Sequence, residues 1–399
     1  KIFLAAIVVV IGTKMMSASA SATASATAAN AAMVVLPRMG LGMAALGRPG
    51  YINLDRSSVF DNNEQQDTTK PTKDQQEQQE QEQQKRRSVE RMQYQSEKVL
   101  DSLFAADAAA SPKDAAGGDG GRVIPWIDCA RSYGLSEKFV GEYLRTNNVQ
   151  PKNVYVSSKW GYTYVADWNV SLEAGKPHEV KDHSVDNFLK QLEETNKELG
   201  PYLNLYQIHS ATFESGVMDN SEVHDALVKC RSENGWKIGL SVSSPKQDEV
   251  IRRAIELEID DMNDGGKTKV FDSVQCTYNV LEQRPGPVLL EASRSGMDII
   301  IKEGLANGRA LRHPTIQQYA KRLGCEPDQL ALGCILAQPF RPRVLSGAVT
   351  PEQLESNLKA LKVAEQILEK DTKLLEEIMD QTVMDSQEYW TERSNLSWN

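Results

Sequence analysis

Short apolar runs alternate with amphipathic stretches along most of this chain. The runs fall at residues 38–47 (RMGLGMAALG), 123–130 (VIPWIDCA), 154–161 (VYVSSKWG), 203–210 (LNLYQIHS), 236–243 (WKIGLSVS), 273–279 (SVQCTYN), 298–304 (DIIIKEG) and 343–349 (RVLSGAV). Each has the length of a strand. Between them lie stretches with helical spacing and polar faces, such as SEKFVGEYLRTN, DNFLKQLEETNKELG, SEVHDALVKCRSENG and DEVIRRAIELEI. Strand–helix alternation calls for a parallel sheet. Eight units over roughly 300 residues predict an α/β chain closed into a (β/α)8 barrel, the TIM barrel. The runs read as continuously apolar, as expected where helices cover the sheet. No G-x-G-x-x-G opens the first helix, which argues against a doubly wound open sheet.

Three stretches break the rhythm. Residues 1–35 carry a lysine, an apolar run to Gly12 and then SASASATASATAANAA, the pattern of a signal or transit segment. They are expected to stand outside the barrel. The secretory pathway or a plastid is the destination if the segment acts as an address, and the cytoplasm if it does not. The apolar run falls short of the roughly 20 residues that span a bilayer, so no stable membrane span is expected. Residues 57–86 centre on DQQEQQEQEQQ, a polar low-complexity insertion with little to bury. After it, Val89, Met92, Val99 and Leu103 mark one face of a helix, with Ser96 in the gap. Residues 105–122 (AADAAASPKDAAGGDGGR) read as a loop insertion, and the rest of 36–399 as barrel.

A formal net charge of −10 disfavours a nucleic-acid partner or an anionic membrane surface. The five cysteines, at 129, 230, 276, 325 and 334, have no metal-ligand spacing and lie in core-like segments. Buried free thiols and no metal site are expected.

Polar residues recur near the ends of the apolar runs. Asp128 lies in the second, Lys159 in the third, His209 in the fourth, Ser241 in the fifth, Gln275 in the sixth, Lys302 in the seventh and Ser346 in the eighth. A barrel gathers its strand ends at one face, and active sites are built there. Tyr133 follows Asp128 closely. Its phenol is protonated at neutral pH, and a nearby lysine would lower its pKa. Asp128 can pair with Lys159 and offset the cost of burying that charge. A tyrosine and a histidine converging on a carbonyl oxygen can donate a proton and stabilise developing charge. His178, His183, His224 and His313 lack such a context and are expected to be structural.

From about Met39 to Leu358, insertions aside, the chain resembles the aldo-keto reductases. The stretches DCARSYGLSE, SSKW, YQIHS and SGAVTPEQLESN are similar to that family's motifs and stand in its order. The likeness is to bacterial and algal members with QIHSAT and KE-L-ANGR rather than to mammalian aldose reductases. The resemblance implies a catalytic tetrad of Asp128, Tyr133, Lys159 and His209, and NADP(H) as cofactor, with NAD(H) the alternative. It implies Ser241 and Gln275 at the nicotinamide carboxamide, Lys302 beside the ring, and Leu305, Asn307 and Arg309 at the phosphates. Gly347, Ala348 and Gln353 stand where NADP-preferring members carry Lys, Ser and Arg, and Asn357 is implied at the adenine. Trp160, next to Lys159, is expected to wall the substrate pocket. The implied reaction moves hydride between NADP(H) and a small-molecule aldehyde, ketone or sugar carbonyl. Two alternatives keep the same fold: an NAD(P)-dependent aldose or alcohol dehydrogenase, and a nicotinamide-binding regulatory subunit with little turnover.

Overall fold

Eight parallel strands close on themselves in chain order: β1 (Met39–Gly42), β2 (Trp126–Asp128), β3 (Tyr155–Trp160), β4 (Leu203–Ala211), β5 (Lys237–Val242), β6 (Ser273–Thr277), β7 (Asp298–Lys302) and β8 (Arg343–Ser346). The seam is β8 against β1, with Ser346 opposite Leu41, and each of the eight apolar runs contains one strand. The computed structural model describes residues 34–54, 87–109, 122–170, 172–173, 175–260, 265–370 and 372–398. The expected N-terminal segment to residue 33, the insertion 57–86 and the loop residues 110–121 lie outside these.

Helices separate the strands: α1 (Val89–Ala109), α2 (Ser136–Thr146), α3 (Val185–Leu199), α4 (Ser221–Asn234), α5 (Gln247–Glu256), α6 (Gly286–Arg294), α7 (Pro314–Leu323) and α8 (Pro327–Leu336). Beyond β8 come α9 (Pro351–Leu358), α10 (Ala360–Lys370), α11 (Thr372–Thr382) and α12 (Ser386–Ser394). Their boundaries follow local chemistry. Ser184 caps α3 by accepting from Asn187 N, and Thr350 caps α9 by accepting from Gln353 N. α1 runs on into the alanine-rich stretch read as loop, because alanine favours helix more than any other residue. On its inner face Met92, Val99 and Leu103 are buried, and so is Ser96, whose hydroxyl donates to Met92 O at 2.9 Å. Among the described residues no helix is long and apolar enough to cross a membrane. The five cysteines are free; all are buried but Cys325, which is partly exposed.

The strands are less uniform than their sequences suggested. Ile127, Val156, Tyr206, Ile208, Leu240, Val274 and Ile301 join the large apolar cluster that the helices cover. Their alternate neighbours Asp128, Ser157, Lys159, Gln207, His209, Ser241 and Gln275 are buried too, although polar. Side chains alternate across a strand, so these seven share the opposite, inward face. The barrel interior therefore has an apolar floor, where Trp126, Leu205, Ile300 and Leu345 cluster, and a polar upper layer. Trp126 fits because Gly40 has no Cβ; one built there would lie 2.3 Å from the indole.

Candidate active site

The polar layer is organised around Asp128. Its Oδ2 pairs with Lys159 Nζ, and its Oδ1 accepts from Ser157 Oγ at 2.7 Å, Gln207 Nε2 at 3.3 Å and Gln275 Nε2 at 3.3 Å. Lys159 also donates to Cys129 O at 2.9 Å, and both members of the pair are almost wholly buried. A buried ion pair persists only when its remaining hydrogen-bonding capacity is met, and here side chains from β3, β4 and β6 and the backbone just after β2 supply the partners.

Tyr133 reaches this layer through a turn rather than a strand. The ladder continues past β2, with Cys129 N donating to Ser157 O at 2.8 Å and Arg131 N to Lys159 O at 3.0 Å. Then Tyr133 N bonds Ala130 O at 3.0 Å, and Leu135 N bonds Gly47 O at 2.7 Å. Gly134 is needed at this turn: its φ is +58°, and a Cβ there would lie 2.4 Å from Gly47 O. Lys159 Nζ sits 4.9 Å from the Tyr133 ring centroid, and the His209 ring lies edge-on at 5.4 Å. The structure thus brings Asp128, Tyr133, Lys159 and His209 together. The rest of the DCARSYGLSE stretch braces them. Glu137 Oε2 pairs with Arg131 at 2.6 Å, and its Oε1 accepts from Thr195 Oγ1 at 2.9 Å.

The electrostatics depart from expectation in one respect. Burial first, then the Asp128 charge, pushes the Tyr133 phenol well above its ordinary value, with Arg48 opposing. The expected lowering by Lys159 does not dominate, because Asp128 neutralises that ammonium and Tyr133 is itself desolvated. Burial, then Lys159, holds the His209 imidazole well below its ordinary value, so the ring is neutral. Its Nδ1 lies 3.2 Å from Ser132 Oγ, and its backbone oxygen 2.9 Å from His183 Nε2. His183, expected to be structural, is a prop for His209. Trp160 does not wall a pocket: it is fully buried against Phe188, ring centroids 4.9 Å apart, because its strand position faces the helices.

A cavity of about 550 Å³ opens above Asp128 and Tyr133 and runs to the loop after β8. Gln275, Lys302, Leu305, Asn307, Gly347, Ala348, Gln353 and Asn357 all line it. Two residues expected there do not. Ser241 Oγ accepts from Ser210 N at 2.9 Å, satisfying the backbone where β4 slips register and Ser210 adopts φ 52°. Arg309 is tied to α12, donating to Glu392 Oε2 at 2.9 Å and Tyr389 O at 3.2 Å. Lys302 Nζ donates to Ser243 Oγ at 2.7 Å and Thr277 Oγ1 at 2.9 Å, and burial, against the pull of Glu303, lowers its pKa to about 8. Asn357 accepts from Ser346 Oγ and donates to Asp328 Oδ2, each at 2.7 Å.

Sequence reasoning missed Tyr51, Glu303 and Arg393. Tyr51 and Glu303 line the cavity, and Glu303 Oε1 meets Arg393 Nη2 at 2.5 Å. Burial is the largest influence on the Glu303 carboxyl and would raise it, but the charges of Arg393 and Lys302 with hydrogen bonds from Arg393 and Thr277 together outweigh it and hold the pKa at about 2. Arg393 is distant from β7 in sequence and carried no signal; Glu303, beside Lys302, did.

Barrel, buried ion pair and converging tyrosine and histidine define a class, and comparison with known proteins agrees. The model of the aldo/keto reductase family matches residues 106–380. The chain belongs to that family. A Schizosaccharomyces pombe protein named "Putative voltage-gated potassium channel subunit beta" is 32% identical over 72 residues, which span 18% of this chain and 21% of that protein. Similar solved structures include a Gox0644 variant in complex with NADPH, 19% identical with a TM-score of 0.50 over 74% of this chain and 87% of that one. They also include a holo aldo-keto reductase from Bacillus halodurans, 17% identical with a TM-score of 0.49 over 89% of this chain and 91% of that one. The likeness to the first is one of fold.

Proposed function

We propose that this chain reduces an aldehyde, ketone or sugar carbonyl at the expense of NADPH, with Tyr133 as the proton donor. The observation that carries the reading is the placement of Tyr133. It lines a large cavity, remains firmly protonated, and stands against the buried Asp128–Lys159 pair and the neutral His209. The cavity fits a dinucleotide. The buried Gln275 Oε1 has no hydrogen-bond partner among the described residues, and a carboxamide N–H would satisfy it. At the far end Gly347 has open space where a Cβ would stand. The NADPH held by the similar Gox0644 structure supports the same cofactor.

When bound, the nicotinamide supplies the hydride that the carbonyl carbon accepts. Tyr133 passes its hydroxyl proton to the carbonyl oxygen. A neutral His209 whose Nδ1 accepts from Ser132 carries its proton on Nε2 and can hold that oxygen in place. Lys159, fixed by Asp128 and Cys129 O, favours the phenolate left on Tyr133 until solvent reprotonates it. Gly347, Ala348 and Gln353 are neutral and Glu352 lines the same end, so the preference for NADP(H) over NAD(H) is modest, about tenfold or 1.4 kcal/mol.

Tyr133→Phe is the direct test. It removes only the hydroxyl, so turnover across a carbonyl and sugar panel falls by about a hundredfold or more. NADPH affinity, read by protein fluorescence, stays within about twofold, because the hydroxyl is not needed to hold the cofactor. Wild-type turnover in this variant ends the reading. The match to a channel subunit favours one second reading, a nicotinamide-binding regulatory subunit. Stoichiometric NADPH binding with no turnover on any member of the panel selects it.

A further inference from the structure

Arg48 follows β1 and is 4% exposed. Its Nη1 donates to Ser132 O at 3.0 Å and to Glu179 Oε2 at 2.9 Å. Its guanidinium carbon lies 5.3 Å from the Tyr133 ring centroid, 5.3 Å from that of Tyr51 and 4.9 Å from that of Trp398. Tyr133 therefore has two cations against its ring, Arg48 and Lys159. The residue that accepts from Arg48 through its carbonyl, Ser132, reaches His209 Nδ1 through its hydroxyl. One guanidinium thus braces both proton-donating arms of the site. An arginine held this way loses little freedom per contact, and its planar group stacks on aromatic rings in a way lysine cannot reproduce.

We propose that Arg48 is a positioning residue for the reaction: it fixes the Tyr133 ring and the Ser132 turn, and its charge stabilises the phenolate that Tyr133 becomes. The inference rests on the reading of Tyr133 as proton donor. In reduction the Tyr133 O–H bond breaks as the O–H bond of the product alcohol forms, and the negative charge stays on the phenolate oxygen. The charged and titratable groups around that ring are Asp128 from β2, Lys159 from β3, His209 from β4, Glu179 from an antiparallel hairpin after β3 (Tyr162–Tyr164 against Glu179–Lys181), Glu303 just after β7, and Tyr51 and Arg48 after β1. Asp128 is matched by Lys159, Glu303 by Arg393 and Glu179 by Arg48, so each of these cations already answers a carboxylate. Of the three, Lys159 and Arg48 lie against the Tyr133 ring, and Arg48 opposes the upward push of burial and Asp128 on its phenol.

The test uses the full chain with Arg48→Met, Arg48→Lys and Tyr133→Phe. Reduction of the best panel carbonyl with NADPH, and oxidation of its alcohol with NADP⁺ from pH 6 to 10, are measured beside NADPH affinity and Tm. Arg48→Met should lower kcat by about thirtyfold, within the range of proton-transfer effects, with NADPH affinity changed less than about twofold. The rise of the oxidation rate with pH, which needs the Tyr133 phenolate, should move up by about one pH unit. Arg48→Lys should restore much of the pH profile while recovering kcat only in part. An unmoved pH profile in Arg48→Met overturns the inference, whether kcat is intact or falls in step with Tm. Full turnover in Tyr133→Phe, or none in the wild type, overturns the parent reading and this inference with it. The Arg48 arms failing while Tyr133→Phe is inactive overturn this inference alone.

Discussion

At the end of the cavity where Tyr133 lies, charged side chains from separate strands are locked into one another. At the other end, Gly347, Ala348 and Gln353 offer neutral groups and backbone, and Gln353 spends its own Oε1 on Val349 N at 2.9 Å. The first end must hold a proton and answer charge at fixed points, which takes titratable groups desolvated and paired. The second has to accommodate shape, and backbone with small residues suffices. The difference predicts that substitutions at the first end are costly to the fold as well as the chemistry, and that the second tolerates change.

The sharpest way to break this contrast is Lys159→Met. It leaves the Asp128 carboxylate buried without its cation, and unfolding in urea should show a loss of about 3–5 kcal/mol. Adding Asp128→Asn removes the stranded charge and should recover part of the loss. A fully stable single variant would show that water reaches the pair. Next is Glu303, whose carboxyl sits at about 2 rather than the ordinary 4.5. Its contribution is present above pH 4.5 and disappears as pH falls toward 2. Glu303→Gln should remove about 3 kcal/mol at pH 7 and flatten the stability curve between those limits. A curve in the variant as steep as the wild type's would assign the acid loss to other carboxylates. At the neutral end, Gln353→Arg should raise the preference for NADP(H) about tenfold further, or 1.4 kcal/mol, with unchanged stability. Paired titrations with both cofactors decide it. The smallest effect is expected from deleting 57–86: closure entropy changes slowly with loop length, so Tm should move less than about 3 °C, with turnover intact.

The same contrast governs what could be read from the chain. Asp128, Lys159 and His209 lie in strands whose order is the chain order, so their strand-end positions sufficed to predict that they converge. Tyr133 was legible from its closeness to Asp128 and the likeness of the DCARSYGLSE stretch to the family's motif, not from the turn that Gly134 permits. Part of the inward polar layer was hidden: Gln275 was read with the strand ends, but Ser157 and Gln207 were not, because periodicity cannot say that a polar residue is buried. Ser241 and Arg309 were misplaced for a local reason. A register slip at Ser210 claims the first, and α12 claims the second. Contacts made by segment 386–398 had no signature at all, since nothing in its composition announces Glu303 or Arg48 as partners.

That segment has a consequence for synthesis. The barrel cannot close until 343–346 is available to pair with β1, and the cavity wall at Glu303 is not set until Arg393 arrives. A ribosome-bound chain short of residue 393 would carry every member of the tetrad and still lack a finished site. On the reading proposed above, catalytic competence is expected only once α12 has been made, and the long separation between partnered segments is expected to slow the last steps of assembly.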